Sequence, residues 1–171
     1  MTLAQILKEK KELSNKIKKE YKLPIKNKAF GLILVENKNI LQKLYFGLAN
    51  LPIDFIIVWD FWKEWRDEQF NNIYVTKKID NNSLRAFDFV VLDENTAEIS
   101  KYNENAITPI CLKGNQLSAI LKEYQPMKNE WNSYIYEENN EWSIFWAISR
   151  YFENYKITFD NKNLLKNVYG G

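Results

Sequence analysis

The chain of 171 residues contains no histidine and only one cysteine. Histidine is the usual general base at neutral pH, the commonest metal ligand and the partner of serine or cysteine nucleophiles. Its absence argues against whole classes of hydrolase and metalloenzyme, and we expect no metal site and no cofactor. Cys111 has no partner for an internal disulfide and lies in an apolar run, which indicates a buried thiol in a reducing cytoplasm.

Glycine-rich phosphate loops and long apolar runs are also missing. The five glycines form neither a G-x-G-x-x-G nor a Walker sequence, so a dinucleotide site and a P-loop both lack their anion-binding loop. No apolar run reaches the roughly 20 residues that span a bilayer, and the first residues lack the basic-then-apolar order of a signal peptide. The sequence therefore predicts a soluble cytoplasmic protein without a membrane segment.

Positive charge is concentrated at the N-terminus. Residues 1–28 hold nine lysines and three glutamates, a net charge of +6, whereas the rest of the chain is net negative. Such a run is suited to RNA or an anionic surface, but the three arginines all lie elsewhere, at positions 66, 85 and 150. We interpret the lysines as a solvated helix face and rank nucleic-acid binding last among the functions considered.

Apolar runs alternate with helical patterns along the chain. Residues 3–20 predict a leading helix behind the N-cap Thr2, and it ends by residue 22 because Pro24 disfavours helical conformation in Leu23. Six apolar runs predict strands, over residues 30–35, 54–59, 72–76, 88–92, 107–111 and 133–136. Helices are expected over residues 36–50, 61–70, 83–87, 94–103, around Leu117 and over 140–168.

This alternation of strands and helices predicts an α/β fold. Strands that are joined through helices pair in parallel, with right-handed crossovers and helices on both faces of the sheet. At this length one domain over residues 1–171 is the default. We expect a Rossmann-like three-layer sandwich with a mainly parallel sheet of about six strands.

Two loops of such a sheet carry groups suited to ligand binding. Ligands bind beyond the carboxyl ends of parallel strands, and Lys38 follows the first strand at the start of a helix, where a phosphate could bind. The segment Asp93, Glu94, Asn95 and Thr96 follows the strand at 88–92 and opens another helix. Its amides are suited to an anion, although acidic residues there also serve as helix caps.

Aromatic residues are abundant and fall into two main groups. One group is Trp59, Phe61, Trp62 and Trp65, and the other is Trp142, Phe145, Trp146, Tyr151, Phe152 and Tyr155. The helical spacing of the second group favours a buried seam or a protein interface, and stacking on sugar rings is the alternative.

The stretch from Ala106 to Tyr155 has a distinctive order of elements. It runs through Ile107-Thr-Pro-Ile110, a turn to Leu117, Asn132-Ser-Tyr-Ile-Tyr136 and the aromatic helix from Glu141. This order resembles the end of bacterial glycogen and starch synthases, which run G-T-x-P-I-V, T-G-G-L, G-F-x-F and a helix ending in A-L/I-x-R-A-x-x-x-Y.

Upstream segments resemble the same family in the same order. Leu23-Pro24 resembles its G-L-P, Val35-Glu-Asn-Lys38 resembles V-E-Q-K, and Phe87-Asp-Phe-Val-Val-Leu92 resembles A-D-F-x-L-M. The resemblance covers about residues 15–168, as the C-terminal, nucleotide-sugar-binding half of a two-domain GT-B glycosyltransferase. It implies a retaining glucosyltransferase ancestry with ADP-glucose or UDP-glucose as donor.

Some residues of the family's donor site have counterparts in this sequence, and others do not. Lys38 matches the lysine of V-E-Q-K, and Glu94, or Asp93 after a one-residue shift, matches the glutamate of E-P-C-G-L that contacts the donor sugar. The arginine that precedes V-E-Q-K in the family is missing, and the G-G of T-G-G-L has become Asn115-Gln116, which blocks close backbone approach. The family's N-terminal acceptor domain has no counterpart in these residues.

We therefore expect a pseudoenzyme, inactive in glucosyl transfer when alone, that acts as a binding or assembly module in a homodimer or with a protein partner. The first alternative is the donor-binding half of a split ADP-glucose- or UDP-glucose-dependent glucosyltransferase. The second alternative is a nucleic-acid-binding protein that uses the basic leading helix.

Overall fold

The computed structural model describes residues 1–26, 29–59, 70–93, 99–114 and 116–170, without the side chains of residues 116 and 119. Six strands occur in these ranges: β1 (Phe30–Leu34), β2 (Asp54–Val58), β3 (Ile73–Thr76), β4 (Phe89–Leu92), β5 (Thr108–Leu112) and β6 (Tyr134–Tyr136). The helices there are α1 (Leu3–Glu20), α2 (Lys38–Ala49), α3 (Ile99–Asn103), α4 (Glu141–Lys156) and α5 (Thr158–Gly170), with 3-10 helices at Asn81–Ala86 and Gln116–Ala119.

The strands form one sheet in the order β3-β2-β1-β4-β5-β6, and every pair is parallel. The chain runs outward from β1 through β2 to β3, then returns to the centre and continues from β4 to β6. Strand order therefore reverses between β1 and β4, which is the arrangement of a doubly wound Rossmann-like sheet. The predicted α/β class and the parallel sheet of about six strands are confirmed.

The predicted strands are all present, and each end differs by at most one residue from the sequence-based range. The predicted helix at residues 94–103 is confirmed over Ile99–Asn103, and residues 94–98 lie outside the described part of the chain. The helix predicted at 61–70 also falls almost wholly outside it, since residues 60–69 are not described. The element predicted at 83–87 is a 3-10 helix, and the C-terminal helical region contains α4 and α5.

Both faces of the sheet are buried, because side chains alternate between two hydrophobic cores. In β4, Phe89 and Val91 belong to the core under α2, α4 and α5, whereas Val90 and Leu92 belong to the core under α1 and α3. Apolar runs without polar alternation are the expected sequence of parallel strands covered on both sides. Within the described ranges, no helix is both long and apolar enough to cross a bilayer.

The lysine-rich helix α1 departs from the expected solvated face at two positions. Lys10 and Lys18 are only 5% and 2% exposed. The Lys18 Nζ lies 2.8 Å from the Asp54 Oδ2 at the amino end of β2, and the Lys10 Nζ donates to the backbone carbonyl of Phe87 before β4. Two lysines therefore fasten α1 to the amino ends of the strands, and the prediction that they are solvated is wrong.

Gly31 lies under two aromatic rings at the centre of the sheet. The strand register pairs Gly31 with Phe55 of β2 and with Phe89 of β4. Side chains at paired positions point to the same face, and the two ring centroids are 6.1 Å apart. A Cβ atom added at Gly31 would lie 2.4 Å from the Phe89 Cζ, so the ring occupies the space that a side chain would need.

We expect Gly31→Ala to lower the free energy of unfolding by about 1–3 kcal/mol, because a buried ring must shift to admit the methyl group. Urea denaturation followed by circular dichroism measures the change. Gly170→Ala is the matched control, since a Cβ there meets nothing within 4 Å. A Gly31→Ala variant as stable as the wild type would contradict the close packing of Phe89 over this glycine.

Lys10 is expected to make stability depend on pH. Burial lowers the pKa of Lys10 from 10.5 to about 8, and the Asp88 carboxylate acts in the opposite sense. Between these pH values the folded protein has released the proton and the unfolded chain retains it, so the free energy of unfolding rises with pH. Over the whole range, from below pH 8 to above pH 10.5, the titration of Lys10 should raise the free energy of unfolding by about 3 kcal/mol.

Urea denaturation of the wild type and of Lys10→Met at pH 7.5 and pH 10 tests this expectation. The stability of the wild type relative to the variant should increase at the higher pH, and comparing the two proteins removes the effect of other titrating groups. A difference between the two proteins that stays constant over this range would show that Lys10 is not desolvated in the folded state.

Candidate functional site

The candidate site lies where strand order reverses, at the carboxyl ends of β1 and β4. We call the loops that follow β1, β4 and β5 the carboxyl edge. Adjacent connections leave the sheet in opposite directions between β1 and β4, so a crevice opens there. The structure places Lys38 and Asp93 at this edge, as the sequence predicts, while Glu94, Asn95 and Thr96 lie outside the described residues.

The β1 loop leads directly into α2 and caps its first turn. Glu36, Asn37 and Lys38 are exposed. The Asn37 side chain accepts hydrogen bonds from the N–H groups of Asn39 and Ile40 at 3.1 and 3.2 Å. Asparagine is a preferred N-cap because its short side chain reaches these amides. Two of the N–H groups that a phosphate would use at this helix end are therefore bound by the protein itself.

Asp93 joins the β4 loop to the β1 loop. Its side chain is buried, and its Oδ2 accepts a hydrogen bond of 2.6 Å from the Glu36 N–H. A bond between an ionised carboxylate and a backbone amide is short and strong. The carboxylate therefore occupies, at this amide, the place that an anionic ligand would take.

The β5 loop also has a backbone amide that is hydrogen-bonded to a side chain of the same loop. Gly114 has φ +84°, and its N–H donates to the Ser118 Oγ at 2.8 Å. The Lys113 Nζ forms an exposed ion pair of 3.0 Å with Glu137. Gln116 begins the 3-10 helix of this loop, and Asn115, the other residue expected to block a glycine-dependent approach, lies outside the described residues.

Tyr136 of β6 forms a hydrogen bond to the last residue of β4, directly before the carboxyl edge. Its hydroxyl donates to the Leu92 carbonyl at 2.8 Å, and both groups are buried. The bond links β6 to β4 across β5, so it fixes the strand end from which Asp93 emerges. Sequence reasoning missed this residue because no local pattern marks a hydrogen bond between strands that are not neighbours.

Several backbone amides at the described part of the carboxyl edge are already bonded to protein side chains. Side chains of Asp93, Asn37 and Ser118 accept from four backbone N–H groups, three that follow β1 and one that follows β5. Lys38 supplies positive charge, Glu36 and Asp93 supply negative charge, and Lys113 is paired with Glu137, so the charges of the described edge do not favour an anion. Within the described ranges, no group of three or more His, Cys, Asp or Glu side chains is placed to hold a metal ion.

The aromatic residues of α4 are arranged differently from the predicted seam. The buried stripe consists of Ile144, Ala147, Ile148 and Tyr151, while Trp142 and Trp146 are 67% and 62% exposed. The expectation of a buried seam is wrong for these two tryptophans, whereas a protein interface stays a prediction. Of the first aromatic group, Trp59 is buried and the other three members lie outside the described residues.

A second concave region lies at the opposite edge of the sheet, near the amino ends of the strands. It is a polar cleft of about 560 Å³ between α1 and the 3-10 helix Asn81–Ala86, with Arg85 in its wall. Arg85 forms an ion pair with Glu9 and donates to the Asn105 side chain at 2.9 Å. These contacts hold Arg85 against α1. The cleft therefore lies between two packed elements whose polar side chains already bind each other.

Comparisons with known proteins identify the fold. No protein-family model matches the sequence, and no curated protein sequence matches it. HepE of Anabaena, solved in complex with UDP-glucose, has a TM-score of 0.65 at 12% sequence identity. The match covers 93% of this chain and 47% of HepE.

Two further glycosyltransferase structures match at a TM-score of 0.57. The spinosyn forosaminyltransferase SpnP is 11% identical, with 85% of this chain and 40% of that one covered, and the glycosyltransferase of kitacinnamycin is 10% identical, with 86% and 40% covered. The chain therefore spans less than half the length of each of these structures. At such low identity the likeness shows the fold alone, which is that of the GT-B glycosyltransferases.

The bond between Asp93 and Glu36 should contribute to stability. We expect Asp93→Ala to lower the free energy of unfolding by about 1.5–3 kcal/mol, the usual value for a hydrogen bond to a charged group. Asp93→Asn keeps an acceptor oxygen and should lose less. Urea denaturation of the three proteins measures the difference, and an Asp93→Ala variant with wild-type stability would show that the two loops are not held together by this bond.

Proposed function

We propose that the chain is a degenerate glycogen/starch synthase-like domain, equivalent to the C-terminal half of those enzymes, that serves as a binding or assembly module and does not transfer glucose by itself. The observation that carries this proposal is the bond between the Asp93 carboxylate and the Glu36 amide in the crevice. A second copy or another protein is the expected partner.

The chemistry of a nucleotide diphosphate explains why this bond matters. Phosphate oxygens bind to backbone N–H groups at helix ends and to basic side chains. At the described part of the carboxyl edge the amide of Glu36 is bonded to a carboxylate. A like charge about 4 Å away opposes an incoming phosphate by about 4 kcal/mol at an effective dielectric constant of 20. Lys38 offsets that repulsion only in part, and Lys113 is paired with Glu137.

The length of the matching structures also supports the proposal. This chain spans less than half of each, and in the GT-B architecture the donor lies in a cleft between two halves. Transfer then depends on positioning and charge stabilisation from both sides of the cleft. A polypeptide limited to residues 1–171 would not supply both sides of such a cleft, so we expect no turnover from these residues alone.

The split glucosyltransferase remains the alternative, and the position of Lys38 favours it. Lys38 is exposed at the first turn of α2, beside the crevice. Nucleic-acid binding is less well supported than the sequence alone suggests, because Lys10 and Lys18 are buried and unavailable to phosphates.

Calorimetric titration with UDP-glucose, ADP-glucose and ADP tests the proposal. UDP-glucose is chosen because HepE was solved in complex with it. We expect no binding by the wild type up to millimolar ligand, and no glucosyl transfer from labelled donor to glycogen. Removal of the negative charge in Asp93→Asn should raise the affinity for UDP-glucose, if the internal carboxylate is what closes the site.

Micromolar binding by the wild type would instead support the split enzyme. That binding should then be lost in Lys38→Ala and retained in Lys43→Ala, which removes an exposed lysine of the same helix that pairs with Glu141. Glucosyl transfer by the purified chain would refute the inactive module directly.

A further inference from the structure

Trp142 and Trp146 form an exposed aromatic surface on α4, which we call the α4 tryptophan face. Both residues lie one helical turn apart on the outward side of the helix and are 67% and 62% exposed. Residues at this spacing have Cβ atoms about 5–6 Å apart. Phe145 is half-buried beside them and packs against Gly47 of α2, so the face sits on a helix that is held from behind.

We propose that the α4 tryptophan face binds a neutral oligosaccharide, with successive pyranose rings stacked on the two indoles. A pyranose presents C–H groups on its flat faces, and an indole presents a large apolar surface with a negative π face. Two indoles one turn apart offer two such platforms in a row. The proposal goes beyond the assembly role and is independent of the crevice at the carboxyl edge.

The area of the face fits a small ligand better than a protein. A tryptophan side chain buries up to about 250 Å², so two that are about two-thirds exposed offer roughly 300 Å² in total. A stable protein interface takes about 800 Å² from each partner. A short saccharide chain can cover this face, whereas a second copy of the protein would need a much larger surface around it.

The charges beside the face argue for a neutral ligand. The Lys43 Nζ lies 3.4 Å from the Glu141 Oε1, and Arg150, one turn after Trp146, has its Nε 2.8 Å from the Glu123 Oε1. These pairs of opposite sign leave little net charge to select an acidic or basic partner. They do leave polar groups at the borders of the face, where sugar hydroxyls can form hydrogen bonds.

Calorimetry on the full chain with maltohexaose and cellohexaose tests the proposal and distinguishes α-linked from β-linked glucans. We expect millimolar binding of at least one of them, weakened about tenfold or more in both Trp142→Ala and Trp146→Ala, since each removes one stacking platform. Both residues are largely exposed, so the variants should remain folded, and circular dichroism verifies this.

Trp131→Ala is the matched control. Trp131 is 40% exposed, and the Lys122 Nζ lies 4.2 Å from the centre of its ring, so its face is already covered. Unchanged affinity of this variant for the hexasaccharides would support the proposal. A loss of affinity as large as in Trp142→Ala would overturn it, because binding would then not depend on the α4 tryptophan face in particular.

Two further results would overturn the proposal. The first is a wild-type protein that binds neither hexasaccharide nor chitohexaose at millimolar ligand. The second is self-association by sedimentation velocity that disappears in Trp146→Ala, because the face would then be an interface between copies of the chain.

Discussion

The parallel pairing of β1 with β4 determines how the two halves of the sheet join, where the crevice opens and how the core packs around Gly31. This pairing joins the two halves of the sheet, and its register places Gly31 beside Phe89 and Leu34 beside Leu92. It brings the β1 and β4 loops to one crevice, so that Asp93 can reach the Glu36 amide. The same pairing leaves Gly31 between Phe55 and Phe89, whose rings support α4 through the 4.6 Å contact of Phe89 with Tyr151.

The sequence predicts the sheet well because burial on both faces leaves an unmistakable pattern. Each apolar run corresponds to a strand, and the helical patterns between the runs imply parallel order. Lys38 and Asp93 could be placed at one edge from topology alone. The hydrogen bonds that occupy the amides there could not be predicted, because they depend on loop geometry that spacing does not encode.

The failures of prediction have a common physical cause, which is that periodicity gives spacing without direction. In α4 the series Trp142, Phe145, Trp146 and the series Ile144, Ala147, Ile148 both have helical spacing, and only packing against the sheet selects the second. In α1 the long stems of Lys10 and Lys18 reach over the strand ends to partners far away in sequence. A hydropathy pattern cannot anticipate either outcome.

The anchoring of α1 also has a consequence for folding during synthesis. This helix is synthesised before the strands that it contacts, because Lys18 binds Asp54 and Lys10 binds the carbonyl of Phe87, 77 residues further along the chain. Contacts of such separation cannot form until the later strands are available. The docking of α1 then covers the core that Ile17 shares with residues of β1, β2, β4 and β5.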